Sequence, residues 1–177
     1  MLRGFGTTWV NTFRNTPLTL IIFFCYFGLF ATLGFSVTDD IDLNNFWLGV
    51  TGLSVYTAAF VCEAIRSGIN TVPPGQAEAA RAIGLKFTQV LRIVVLPQAI
   101  RAVIAPLASV LIALTKNTTV ASAIGVAEAA LLMNTLIENE ADKFTAVFLV
   151  IALGFVILTL PVGLLLGWVA KRAAVAR

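Results

Sequence analysis

Few residues in this chain can do chemistry, and their positions narrow what that chemistry is. Lys116 ends an uncharged run and is followed by Asn117, Thr118 and Thr119, so one cation and three neutral hydrogen-bonding side chains occur together. A cation inside an apolar segment is costly, which makes these residues candidates for meeting a polar or anionic ligand along a path. A lysine reaching out to the membrane surface is the alternative. Glu63 and Arg66 stand three apart, the spacing of an ion pair on one helical face, and read as a structural anchor. Glu128 is the single charge within residues 120–136, and both a packing hydrogen bond and a gate fit it. Histidine is absent, which removes the commonest general base and metal ligand. Cys25 and Cys62 lie in apolar stretches without CxxC spacing, so they read as small core hydrophobes rather than a disulfide or metal site. There is no GxxxxGK[ST] phosphate loop, and no carboxylate pair falls in an apolar run. An intramembrane enzyme would need such groups at depth, so the sequence argues against one.

The elements that position these residues follow from composition. Hydrophobic residues make up 59% of the chain and charged residues 12%, with a mean hydropathy of +0.94. That is too little charge to cover a soluble domain, and the apolar residues come in long blocks suited to a bilayer. A crossing helix needs about 20 mainly apolar residues. Residues 18–38, 46–62 and 144–170 meet or approach this, and residues 102–115 do so if extended back towards Leu96. Residues 120–136 read as a re-entrant or broken helix. The expectation is an all-α polytopic membrane bundle of about four spans, forming one domain over residues 1–177. The start of the chain does not read as a signal peptide.

Basic residues then set the orientation. Four spans put both termini on one side. That side holds Arg3, Arg14, Arg66, Arg81, Lys86, Arg92, Arg101, Lys171, Arg172 and Arg177, ten of the twelve basic residues. The other side receives Asp39, Asp40, Asp42, Glu138, Glu140, Asp142 and Lys143. Both termini and the loop of residues 67–101 are therefore expected in the cytoplasm. The net charge of +3 forms no basic run, so nucleic acid is not an expected partner. Pro106 and Pro161 fall within spans, and Gly163 and Gly167 form a small-xxx-small pair read as helix packing.

The loop carries the densest pattern. Pro73-Pro74-Gly75 stops what precedes it, and Gln76 to Ile83 is rich in Ala and Glu, which favours a short helix. Gly84 supplies a break or a positive φ, and a second short helix leads to Leu96-Pro97. Small side chains would let another protein approach the backbone closely; an ordinary interfacial helix fits as well.

Glu78-Ala79-Ala80, Gly84 and Leu96-Pro97 resemble the cytoplasmic signature loop of binding-protein-dependent ABC importer permeases. Residues 14–18, 63–69, 72–78 and 96–101 sharpen the resemblance to the polar amino acid branch. Within it, residues 15–20, 112–119 and 157–161 are most similar to actinobacterial glutamate permeases. Val94 stands where the signature usually has isoleucine. The resemblance also implies a further membrane helix before Met1, giving five spans in full-length relatives. It implies partners: a pair of cytoplasmic ATPase subunits carrying ATP and Mg, a second permease of the same or a related kind, and an external amino-acid-binding protein. The chain itself would be no enzyme and would bind no cofactor or metal. Gln76, Glu78, Ala79, Ala80 and Gly84 would meet the ATPase, and Lys116, Asn117 and Thr118 would line the substrate path. Relatives commonly read Lys-Asp-Thr-Ser there; asparagine removes one negative charge, which would favour an acidic amino acid such as glutamate. The expected location is the bacterial plasma membrane, multi-pass, with the C-terminus cytoplasmic.

Two rival readings remain from the residues. A secondary transporter would use broken helices and midplane charges too, but would have no use for a docking loop. A non-transporting structural subunit fits if the product lacks its first helix.

Overall fold

The computed structural model describes residues 2–173, so Met1, the start of the chain, and Arg177, one of the expected cytoplasmic charges, lie outside the described residues. Seven helices and their short irregular joints make up that range. Helix α1 (Leu2–Arg14) is amphipathic: Phe5, Trp9 and Phe13 form an aromatic row along one side, with Trp9 and Phe13 centroids 4.4 Å apart, and Val10 is buried. Pro17 begins the next turn without a donor of its own. Helix α2 (Leu18–Thr32) leaves α1 at 104°. It is α-helical to Phe23 and wound as a π-helix over Phe24–Thr32.

The expected first span of residues 18–38 is shorter than the uncharged run. Gly34 takes φ +69°, and the Phe35 N–H donates to the Leu29 carbonyl at 2.9 Å, closing the helix in a Schellman-type cap. Hydropathy could not show this, because residues 33–38 are apolar or neutral yet not helical.

Helix α3 (Ile41–Asn70) is longer than the expected 46–62. The Asp40 carboxylate caps it, accepting from the Leu43 N–H at 2.9 Å. At the far end the Thr71 hydroxyl donates to the Gly68 carbonyl. Thirty residues rise about 45 Å, more than the ~30 Å hydrocarbon core, so charges near both ends can reach water. Helix α4 (Pro74–Ala82) follows, with proline at its first position, where the missing N–H is harmless.

Helix α5 (Phe87–Ile124) corrects the reading of Leu96-Pro97 as a boundary. The second short helix is instead the first turns of one long rod. It is π-wound over Val90–Val95, α-helical over Leu96–Asn117 and 3-10 over Thr118–Ile124. A proline inside an α-helix clashes with the carbonyl four residues back, and the wider winding just before Pro97 is a known way to accommodate that. Gly125 at φ +80° ends α5. Helix α6 (Ala129–Asn139) and helix α7 (Phe144–Ala173) complete the chain, so the 120–136 segment is indeed broken.

Helices α3, α5 and α7 are long and apolar enough to cross a membrane, and α1 with α2 brings the number to four if that bent pair is one span. The core sits where α2, α3 and the 3-10 end of α5 meet: Leu18, Ile22, Cys25, Leu48 and Ile124. Helix α7 presents Phe148, Leu153, Ile157, Leu164 and Leu165 outward, as a lipid-facing helix does. Gly163 packs on Ile112 of α5, but nothing lies near Gly167, so only half of that glycine pair is a contact. Cys62 differs from expectation in being exposed, while Cys25 is buried; both are free.

Candidate functional site

Three constellations hold the residues singled out above. The first is at one end of α3. Glu63 accepts from both Arg66 Nη2 (2.5 Å) and Arg66 Nε (3.2 Å), the i, i+3 pair expected. Arg14 joins it: its Nη1 lies 3.6 Å from Glu63, and its guanidinium sits 6.0 Å from the Phe60 ring centroid. Sequence reasoning missed Arg14, because nothing local links residues so far apart. One carboxylate shared by two guanidiniums ties α1 across α3.

The second is the loop. Helix α4 closes on Gly84, whose φ of +91° puts it in the left-handed region. The Leu85 N–H donates back to the Ala80 carbonyl at 3.2 Å. Glu78, Ala79 and Gly84 lie on the exposed side. Ala80 does not: it is 7% exposed and packs within the chain, so its methyl group has no surface to offer. Gln76 is also spoken for, since its Oε1 accepts from Gln98 Nε2 of α5 at 2.5 Å. Two large apolar side chains flank Gly84 instead, Ile83 (81% exposed) and Phe87 (75%). Both are exposed large apolar side chains beside a glycine turn, a feature that alternation of apolar and small residues hid in the sequence.

The third is α5 near its 3-10 end, where the structure separates Lys116 from Asn117. Successive helical residues point about 100° apart. Asn117 therefore faces α3, lining a cleft of about 240 Å³ with Tyr56, Thr57, Phe60, Ser109, Val110, Ala113 and Leu114. Its polar edge is four neutral groups, and no side chain among the described residues bonds the Asn117 amide, the Thr57 hydroxyl or the Tyr56 hydroxyl. Lys116 faces α7 in a second, more open cleft with Thr119, Phe155, Val156 and Thr159. Thr118 is exposed, and its hydroxyl is spent on the Thr115 carbonyl at 2.8 Å. Glu128 caps α6: its two carboxylate oxygens accept from the Ala130 and Leu131 N–H groups, both at 2.9 Å. At the N-terminal end of α3, Asn44 and Asn45 are buried, and Asn44 Oδ1 holds the Val37 N–H at 2.9 Å, pinning the segment between α2 and α3.

Long apolar helices, an exposed loop turn and a cleft of neutral polar groups between two spans define a multi-pass membrane transport component. Residues 1–175 match the family described as binding-protein-dependent transport system inner membrane component, and the chain belongs to that family. It is 54% identical to the glutamate transport system permease protein GluC of Corynebacterium efficiens, over all of this chain and 80% of that one. It is 36% identical to a probable glutamine ABC transporter permease, GlnM, of Bacillus subtilis, over 97% of this chain and 76% of that one. A crystal structure of an amino acid ABC transporter with histidines superposes with a TM-score of 0.82 at 29% identity, covering 94% of this chain and 74% of that chain. The MetNI methionine ABC transporter, at 20% identity and a TM-score of 0.74 over 96% of this chain and 74% of that one, shares the fold. The chain is thus an ABC-type amino acid transport permease, an all-helical membrane subunit.

Proposed function

We propose that this permease carries glutamate, or another acidic amino acid, into the cell, driven by ATP hydrolysed on a separate subunit. The observation that carries the proposal is the 54% identity to two Corynebacterium glutamate permeases over the whole chain. Under this reading an external binding protein delivers the amino acid to the end of the bundle near Asp39, Asp40 and Asp42. A pair of ATPase subunits, holding ATP and Mg, seats against the exposed face of α4 and its turn: Glu78, Ala79, Ile83, Gly84 and Phe87. A second permease chain, identical or related, completes the path. Both termini and α4 then lie in the cytoplasm.

The cleft between α3 and α5 suits a small polar ligand, since its apolar walls exclude water while Tyr56, Thr57, Ser109 and Asn117 offer hydrogen bonds. Among the described residues no charged one lines it, so an acidic side chain meets no repulsion from them there. Lys116, one residue away on the same helix, supplies a positive field from the neighbouring cleft. An aspartate in place of Asn117 would put a negative charge in the cleft.

The test is competitive uptake by wild type and Asn117→Asp at matched expression. The variant is expected to lose about tenfold in its preference for glutamate over glutamine, the effect of one like charge across a partly screened gap. An unchanged preference, or arginine outcompeting glutamate in wild type, overturns the acidic assignment.

A further inference from the structure

Helix α4 sits on α5 through small side chains. Ala80 of α4 is buried, and Ala77 lines two open clefts together with Val95 of the π-wound turns of α5. One cleft is about 380 Å³, bounded by Ile69, Val72 and Pro73; the other is about 230 Å³, bounded by Arg81, Phe87 and Val90. Alanine methyls beside open clefts fix register less tightly than large interdigitating side chains do. One polar contact does set it. Gln98 Nε2 donates to Gln76 Oε1 at 2.5 Å, and the same nitrogen donates to the Val94 carbonyl at 2.9 Å. Among the described residues this is the side-chain hydrogen bond that joins α4 to α5.

Its place matters as much as its existence. Val94 lies in the π-wound stretch Val90–Val95, and Pro97 follows it. Helices bend at π-wound stretches, and such stretches recur at functional sites. Gln98 thus grips α4 with one hydrogen and the hinge carbonyl with the other. Beyond it α5 continues as one helix, with Pro106 inside it, to Ser109 and Asn117, which line the cleft against α3.

We infer that Gln98 is a positioning residue for coupling: through Gln76 it carries displacement of α4 into the π-wound hinge of α5, and so to the cleft wall. It touches neither nucleotide nor amino acid. The inference rests on the reading that α4 meets an ATPase. It also gives Gln76 a different role from the ATPase contact expected of it, a strap within the permease.

The experiment uses the whole transporter, permease with its ATPase and binding protein, reconstituted in proteoliposomes. The readout is amino acid taken up per ATP hydrolysed, for Gln76→Met, Gln98→Met and the double variant. Methionine keeps the length and removes the hydrogen bond; Gln76→Met leaves the Gln98 bond to Val94 in place, so it remains informative if Gln98→Met folds poorly. Each single variant is expected to keep its ATPase on co-purification and to drop about fivefold to tenfold in uptake per ATP. The double variant is expected to be no worse than the worse single, since both remove one interaction. Gln76→Glu with Gln98→Lys is expected to recover most of the ratio. Unchanged uptake per ATP in the singles, or losses that multiply in the double, overturns the inference. Failure of the wild-type permease to hold an ATPase at all overturns the reading beneath it instead.

Discussion

Gly68 shows how closely single atoms set this bundle. A Cβ placed there would lie 2.0 Å from Val103 Cγ2 and 3.1 Å from the Ala99 carbonyl oxygen, so α3 and α5 cross at contact distance. Gly68→Ala is expected to lower thermal stability in detergent by about 1–3 kcal/mol, the usual effect of overpacking. Val103→Ala in the same chain removes the nearer obstacle and is expected to restore most of it. A Gly68→Ala protein that melts like wild type contradicts the crossing geometry. At the same scale, the divergence of Lys116 and Asn117 was within reach of the sequence, since neighbours on a helix cannot share a face. The neutral cleft was not, because Tyr56 and Thr57 reach it from α3, far from Asn117 in the chain.

Helix α4 and its turn raise the element-scale question of what a short helix is for. Gly84 at φ +91° has open space around a would-be Cβ, so its strain is conformational alone. Gly84→Val is expected to cost about 1–2 kcal/mol at the turn and to reduce ATPase co-purification roughly tenfold, while membrane insertion continues. Phe87→Asp is expected to do the same by a separate route, removing an exposed apolar contact. Normal co-purification in both, measured on matched membranes, sinks the docking role of this surface. Much of this element was legible: proline at the start, a helix rich in alanine, glycine at the turn. Its neighbour was misread, because Leu96-Pro97 looks like a stop until π-winding absorbs the proline. Apolar length likewise overstated α2, since the Gly34 cap leaves no mark on hydropathy. Charged partners distant in sequence, such as Arg14 and Glu63, become visible only when α1 is laid across α3.

For the whole molecule, the separation of basic and acidic residues along the sequence sets the orientation expected under the proposed function. Two positions suited to labelling lie on different joints: Asp39 between α2 and α3, and Gly75 in the first turn of α4. With Cys25 and Cys62 replaced, Asp39→Cys is expected to react with an impermeant thiol reagent in intact cells, and Gly75→Cys only after permeabilisation. Asp39 is preferable to Asp40, whose carboxylate caps α3. The reverse labelling pattern contradicts the assigned sides. The central claim, that this chain imports an amino acid at the expense of ATP, has a more direct test. Glutamate uptake is measured in cells whose only glutamate permease is this one, with ATP depleted while the proton gradient is maintained by respiration. Uptake is predicted to fall to background when ATP is depleted and to persist when the gradient alone is collapsed. Uptake that survives ATP depletion and vanishes with the gradient would identify a secondary transporter and contradict the account.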